Sequence, residues 1–129
     1  MIQLNPRYEA IFNPDNIDQD CDRIASLMNV EADFIKEAVD AGLYKQAVTM
    51  YLQLLKSMCE HFVKDEHYCY FDDMYSPEYT MQGIYEAIQE HNIDSESQAL
   101  LEDGHKEILR SECYEDYGVP FIHRQMIYV

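Results

Sequence analysis

Residues Gly42–Lys64 read GLYKQAVTMYLQLLKSMCEHFVK. Within them Tyr44, Ala47, Val48, Tyr51, Leu55, Met58, Cys59 and Phe62 recur mostly three or four positions apart. That spacing keeps one face of a 3.6-residue helix apolar for about six turns. A second set, Leu43, Met50, Leu54 and Val63, covers much of another face. A helix apolar on two sides needs neighbours on both, so residues 43–64 are expected at the centre of the fold.

On the N-terminal side, Asn29 is expected to cap a helix from about Val30 to Ala41, with Phe34, Ile35, Ala38 and Val39 as its apolar edge. Gly42 ends it as a left-handed cap would. Further back, Asn13-Pro14 pairs a cap residue with a proline at the first helical position. The helix it starts runs to Met28, with Ile17, Cys21, Ile24 and Met28 inward. Asp15, Asp18, Asp20 and Asp22 crowd its first turns, where the positive end of the helix dipole favours acids. They do not form the Asp-x-Asp-x-Asp-Gly loop that calcium needs. Two short helices with a brief break suggest helix-turn-helix, but Glu31, Asp33, Glu37 and Asp40 against Lys36 make a poor reader of DNA. Met1–Leu4 reads as a short strand or as an arm packed on the body.

On the C-terminal side, Tyr68–Tyr75 is aromatic without a period and reads as a connector. Ser76-Pro77-Glu78 restarts a helix with cap, proline and acid in order. Met81, Ile84, Tyr85 and Ile88 form its inner stripe, and it stops near His91-Asn92. Asp94 or Ser95 caps the last helix, Ser95-x-x-Gln98 matching a capping box, and the helix is expected to reach about Tyr114. Leu100, Leu101, Ile108 and Leu109 bracket Gly104, whose place inside a helix costs about 1 kcal/mol relative to Ala. Close approach of a neighbour would account for it. Tyr117-Gly118-Val119-Pro120 breaks the pattern, and Phe121–Val129 is the most apolar end of the chain. That tail packs on its own domain or docks on another copy, giving a homodimer; pairing with Met1–Leu4 is the strand alternative.

The chain has 129 residues, 47% of them hydrophobic, with 11 Tyr, 5 Phe and 7 Met against 4 Gly and 4 Pro. One domain over 1–129 is the natural expectation. Twenty-five Asp and Glu face nine Lys and Arg, a net charge of −16. Direct nucleic-acid binding and adsorption to anionic membranes both require cations, so both are disfavoured. Residues 1–59 carry −4, residues 60–120 carry −13 and residues 121–129 carry +1. Any acidic surface with a purpose therefore lies in the second half. Asp72, Asp73, Glu86, Glu90, Glu102, Asp103, Glu112 and Glu115 are its candidate residues for a protein partner, a basic one above all.

Four cysteines, at 21, 59, 69 and 113, show no Cys-x-x-Cys spacing. No secretory signal opens the chain, and no stretch approaches the roughly 20 apolar residues of a membrane span, so a cytoplasmic protein with reduced thiols is expected. Cys59, His61, His67 and Cys69 fall within eleven positions and invite zinc. Residues two apart on a helix point about 200° apart, however, so Cys59 and His61 do not share a metal, and Cys59 reads as a small buried hydrophobe. No phosphate loop, nucleophile elbow or His-Glu-x-x-His helix occurs. No metal, cofactor or catalytic residue is assigned.

The run Gly42-x-Tyr44-x-x-Ala47-x-x-x-Tyr51 resembles the opening of a tetratricopeptide-type helix pair, in which the Gly lets two helices approach and the Ala admits its partner. It covers about ten residues, without a second copy at the 34-residue period. More widely, Ala41–Tyr117 is similar to helical segments flanking SWIM-type zinc fingers in some bacterial proteins. Those also have a Gly-x-Tyr-x-x-Ala helix, an Asp-Asp connector and two further helices. Here the connector is Phe71-Asp72-Asp73-Met74-Tyr75-Ser76, without a Ser-Asp-Gly continuation, and the Cys-x-Cys of the zinc site is absent. Both resemblances imply a helical, protein-binding module.

The expected fold is all-α: about five helices around residues 43–64, with the pairs 14–41 and 76–115 against them. The expected function is a small interaction module, adaptor or regulatory, without catalysis. The alternatives are an acidic inhibitor that mimics nucleic acid on a basic protein, and an enzyme whose site is assembled from distant residues.

Overall fold

The computed structural model describes residues 2–12, 21–65 and 77–110. Among them are five helices and no strand: α1 (Pro6–Phe12), α2 (Cys21–Asp40), α3 (Tyr44–Asp65), α4 (Pro77–Gln89) and α5 (Ser95–Leu109). The fold is all-α. The longest described helix is α3, and it packs on each of the other four. Partnering does not follow chain order: α4 lies chiefly on α2, and α5 chiefly on α3. The core runs through all five helices, from Tyr8 and Phe12 of α1 and Met28 and Ile35 of α2 to Leu54, Leu55 and Met58 of α3. Met81, Ile84 and Ile88 of α4 and Leu101 and Ile108 of α5 complete it.

Two local expectations are corrected. Asn29 does not cap a second helix: α2 passes through it without a break. Ile24, Met28, Ala32, Ile35 and Val39 are all buried at gaps of three or four, so one apolar stripe carries the helix past a residue of only weakly unfavourable propensity. The Asn29 side chain instead accepts a bond from Thr80 Oγ1 (3.0 Å), tying α2 to α4. Second, Leu43 is 51% exposed and contributes nothing to the core, while Leu52, which belongs to neither of the expected faces, is buried. Of the two caps expected for α5, the structure takes Asp94, which accepts from Ser97 N (3.1 Å) and Ser97 Oγ (2.7 Å). Those bonds hold the Asp94 carboxyl below its ordinary pKa.

Gly42 does end α2 in the left-handed region, at φ +80°. Gly42 N donates to Val39 O (3.0 Å) and Leu43 N to Ala38 O (2.9 Å), the bond pair of a Schellman cap. A Cβ at Gly42 would meet nothing within 4 Å, so the position demands backbone conformation and not a close approach. The close approach is at Gly104, where a Cβ would fall 2.9 Å from Leu52 Cγ and nearer still to both methyls.

A seven-residue helix, α1, stands where no helix was expected. Asn5 caps it through Arg7 N (3.0 Å), and Pro6 takes the first position. By sequence, Met1–Leu4 reads as a strand or an arm. The described part, residues 2–4, is an arm: it has no strand pairing, and Ile2 packs against the core. The last helix ends at Leu109 with Arg110 as its C-cap, short of the expected Tyr114. The expected helix start at 14–20, the connector Tyr68–Tyr75 and the tail 121–129 lie outside the described residues.

Candidate functional site

Four polar side chains are buried among the described residues: Glu31, Ser57, Ser97 and His105. Each has a partner, as burial in a low-dielectric interior requires. Ser97 meets its own cap. The other three bonds each fasten one pair of helices. Arg7 Nε donates to Glu31 Oε1 (2.8 Å) between α1 and α2, and the guanidinium lies 5.2 Å over the Phe34 ring. Ser57 Oγ donates to Glu9 Oε1 (2.8 Å) between α3 and α1. Tyr51 Oη and His105 Nε2 share a hydrogen bond of 2.7 Å between α3 and α5. The Tyr85 ring adds α4 to that last group, with its centroid 5.3 Å from His105. Burial pushes His105 down to about 4 and Tyr51 well above its ordinary pKa. Burial also raises Tyr85, with the Glu102 charge adding to it.

This trio resembles acid–base machinery, yet neither of the two surface clefts that follow is lined by Tyr51, Tyr85 or His105. Tyr51 and His105 are buried and Tyr85 half-buried, and together they set how α3, α4 and α5 meet.

The first cleft, about 260 Å³, lies between the N-terminal arm, α3 and α5. Leu52 and Gly104 bring α3 and α5 together at its floor, and Leu100 and Ile2 add apolar wall. Polar groups come from Gln3 of the arm, Thr49 and Gln53 of α3, and Asp103 and Glu107 of α5. The arm is held in place as a wall. Ile2 N lies 3.0 Å from both oxygens of Glu107, and Lys56 Nζ donates to Ile2 O (3.1 Å) and to Glu107 Oε2 (3.2 Å). Partial burial works to raise the Glu107 pKa, but the bonds from Ile2 and Lys56 and the Lys56 charge outweigh it, leaving the carboxyl lowered.

A second, wider hollow of about 600 Å³ follows from Gly42 to Met50, with Asp94 at its edge. Thr49 lines both, so the two hollows adjoin as a broken trough along α3. Its apolar surface comes from Leu43, Tyr44 and Met50. Lys45, at its rim, is paired with Glu96 (2.7 Å).

Of the eight acidic residues singled out in the sequence, Glu86, Glu90, Glu102 and Asp103 fall among the described residues, all exposed. Glu86 and Glu90 are one turn apart at the end of α4, and Glu102 and Asp103 are neighbours on α5. Asp103 alone of these lines a cleft. Asp72, Asp73, Glu112 and Glu115 lie outside the described residues. Glu107 and Gln53 are not among the residues that the sequence points to; the i, i+4 pair Asp103 and Glu107 is the signal for one acidic face of α5.

Cys59 is buried in α3 and forms no disulfide, as expected of a small core hydrophobe. The His61 side chain, His67 and Cys69 lie outside the described residues. Among the described residues no three His, Cys, Asp or Glu are placed to hold a metal ion. No helix among them is long and apolar enough to cross a membrane. No protein-family model matches the chain, and neither a curated protein nor a solved structure matches it.

Proposed function

We propose that this protein is a small acidic interaction module, adaptor or regulatory, without catalytic activity. The observation that carries the reading is the broken trough along α3: two adjoining, largely apolar hollows with Asp103, Glu107 and Asp94 among their lining residues. A shallow surface of that kind suits a peptide or a helix face of another protein better than a reacting small molecule, which needs enclosure and convergent polar groups. The buried Tyr51–His105 pair supports a non-catalytic reading, because neither residue lines either hollow. The tetratricopeptide-like run Gly42–Tyr51, which borders the trough, supports protein binding as well.

Cytoplasmic residence belongs to the same reading, supported by cysteines without Cys-x-x-Cys spacing. So does a homodimer formed through residues 121–129. The deciding experiment is capture of partners from the native cell by tagged protein, at low and at high salt. Partners held by an apolar trough persist in high salt. A nucleic-acid mimic on a basic protein loses its partner steeply as salt rises. Capture of nothing at either salt, together with turnover of any substrate, would sink the adaptor reading.

A further inference from the structure

We propose that the 260 Å³ cleft between the arm, α3 and α5 receives a single cationic side chain, Lys or Arg, from the partner protein. The inference rests on the interaction reading and names what the trough grips.

Size limits the occupant first. Sites that enclose a drug-sized ligand run to roughly 300–1,000 Å³. A 260 Å³ cleft takes one long side chain and not a nucleotide or a larger cofactor. The chemistry of the walls then selects among side chains. Leu52, Gly104 and Leu100 offer an apolar bed suited to an aliphatic stem. Asp103 stands on the cleft wall, exposed, with no hydrogen bond or ion pair among the described residues. Among the described residues no Lys or Arg lines the cleft, and the nearby Lys56 is engaged by Glu107 and Ile2 O. An apolar stem ending in a cation matches that order of surfaces, since Lys and Arg bury their stems and keep their heads in water. An acidic side chain would meet the Asp103 and Glu107 carboxylates, and a neutral apolar one would leave Asp103 unpaired. The −16 charge of the whole chain draws basic partners in the same sense.

Isotope-labelled full-length protein is titrated with three probes: Nα-acetyl-lysine methylamide, Nα-acetyl-arginine methylamide and the neutral Nα-acetyl-norleucine methylamide. The expected result is saturable amide shifts centred on Leu52, Leu100 and Gly104, with a cationic probe binding about tenfold tighter than norleucine. Asp103→Asn, an exposed change that leaves the apolar bed intact, removes that preference. Equal binding of all three probes, no saturation, or an unchanged preference in Asp103→Asn overturns the proposal. Partner capture with Asp103→Asn separates the two levels. Wild type and variant holding the same partner equally well defeats the cleft assignment and leaves the interaction module standing. Wild type that captures no partner while still preferring the cationic probes defeats the module and not the cleft's chemistry.

Discussion

His105 shows how much one residue's surroundings decide. In the sequence it is one of five histidines, on a helix otherwise read for its leucines. In the fold it is 2% exposed, and its ring is bonded to Tyr51 Oη. Burial disfavours the imidazolium, so its pKa drops from 6.5 to about 4. Through that window the unfolded chain takes up a proton that the folded chain refuses. The stability that His105 contributes is therefore fully present above pH 6.5 and is lost as the pH drops toward about 4. One pKa unit is worth about 1.4 kcal/mol, so the loss between about pH 7.5 and pH 5 is expected to be about 2 kcal/mol. Urea denaturation at the two values measures it. His105→Gln, which still offers Tyr51 a hydrogen-bonding group, is expected to flatten most of that slope; an equal slope in the variant would place its origin elsewhere.

At the scale of elements, the apolar periods of α2, α3 and α4 were readable because each runs for several turns. Ile24 to Val39 and Met81 to Ile88 are buried in the phase their spacing dictates. Errors fell where local signals are weak or ambiguous. Asn29 prefers caps, but the stripe on either side of it outweighs a few tenths of a kcal/mol of propensity. Asn5-Pro6 carries the same cap-and-proline signal as Asn13-Pro14, yet seven residues are too few to display a period. What fixes α1 is tertiary: Glu9 on Ser57 and Arg7 on Glu31. The contact of α3 with α5 turns on Gly104 and Leu52. Gly104→Ala gains about 1 kcal/mol of helix propensity but forces a methyl into Leu52, an overpacking that costs about 1–3 kcal/mol. A net loss of about 1 kcal/mol is expected in chemical denaturation. Leu52→Ala removes the atoms in the way, so the double mutant is expected to be more stable than the sum of the single effects. Simple additivity would show that the two residues do not press on one another.

For the whole molecule, charge is the dominant fact. A chain at −16 repels itself, and the described ion pairs Lys45–Glu96 and Lys56–Glu107 sit at or near the surface, where such pairs add little. Raising salt from about 10 mM to about 150 mM shortens the screening length from about 30 Å to about 8 Å. The melting temperature is expected to rise over that range, as followed by circular dichroism. A fall would mean that attractive pairs outweigh the repulsion.

The sequence by itself determined the helical class, the acidity, the left-handed end at Gly42 and most of the buried stripes. Each of these is local: a period, a count, or one residue's conformational freedom. Only the tertiary structure decided that α4 would lie chiefly on α2 and α5 on α3, that α1 would exist, and that Leu52 would press on Gly104. It also decided that Gln3, Thr49 and Asp103 would share a cleft. Those outcomes depend on which apolar faces find each other across 50 or more residues. A helical period records that a face is apolar, and nothing in it records the partner that will cover that face.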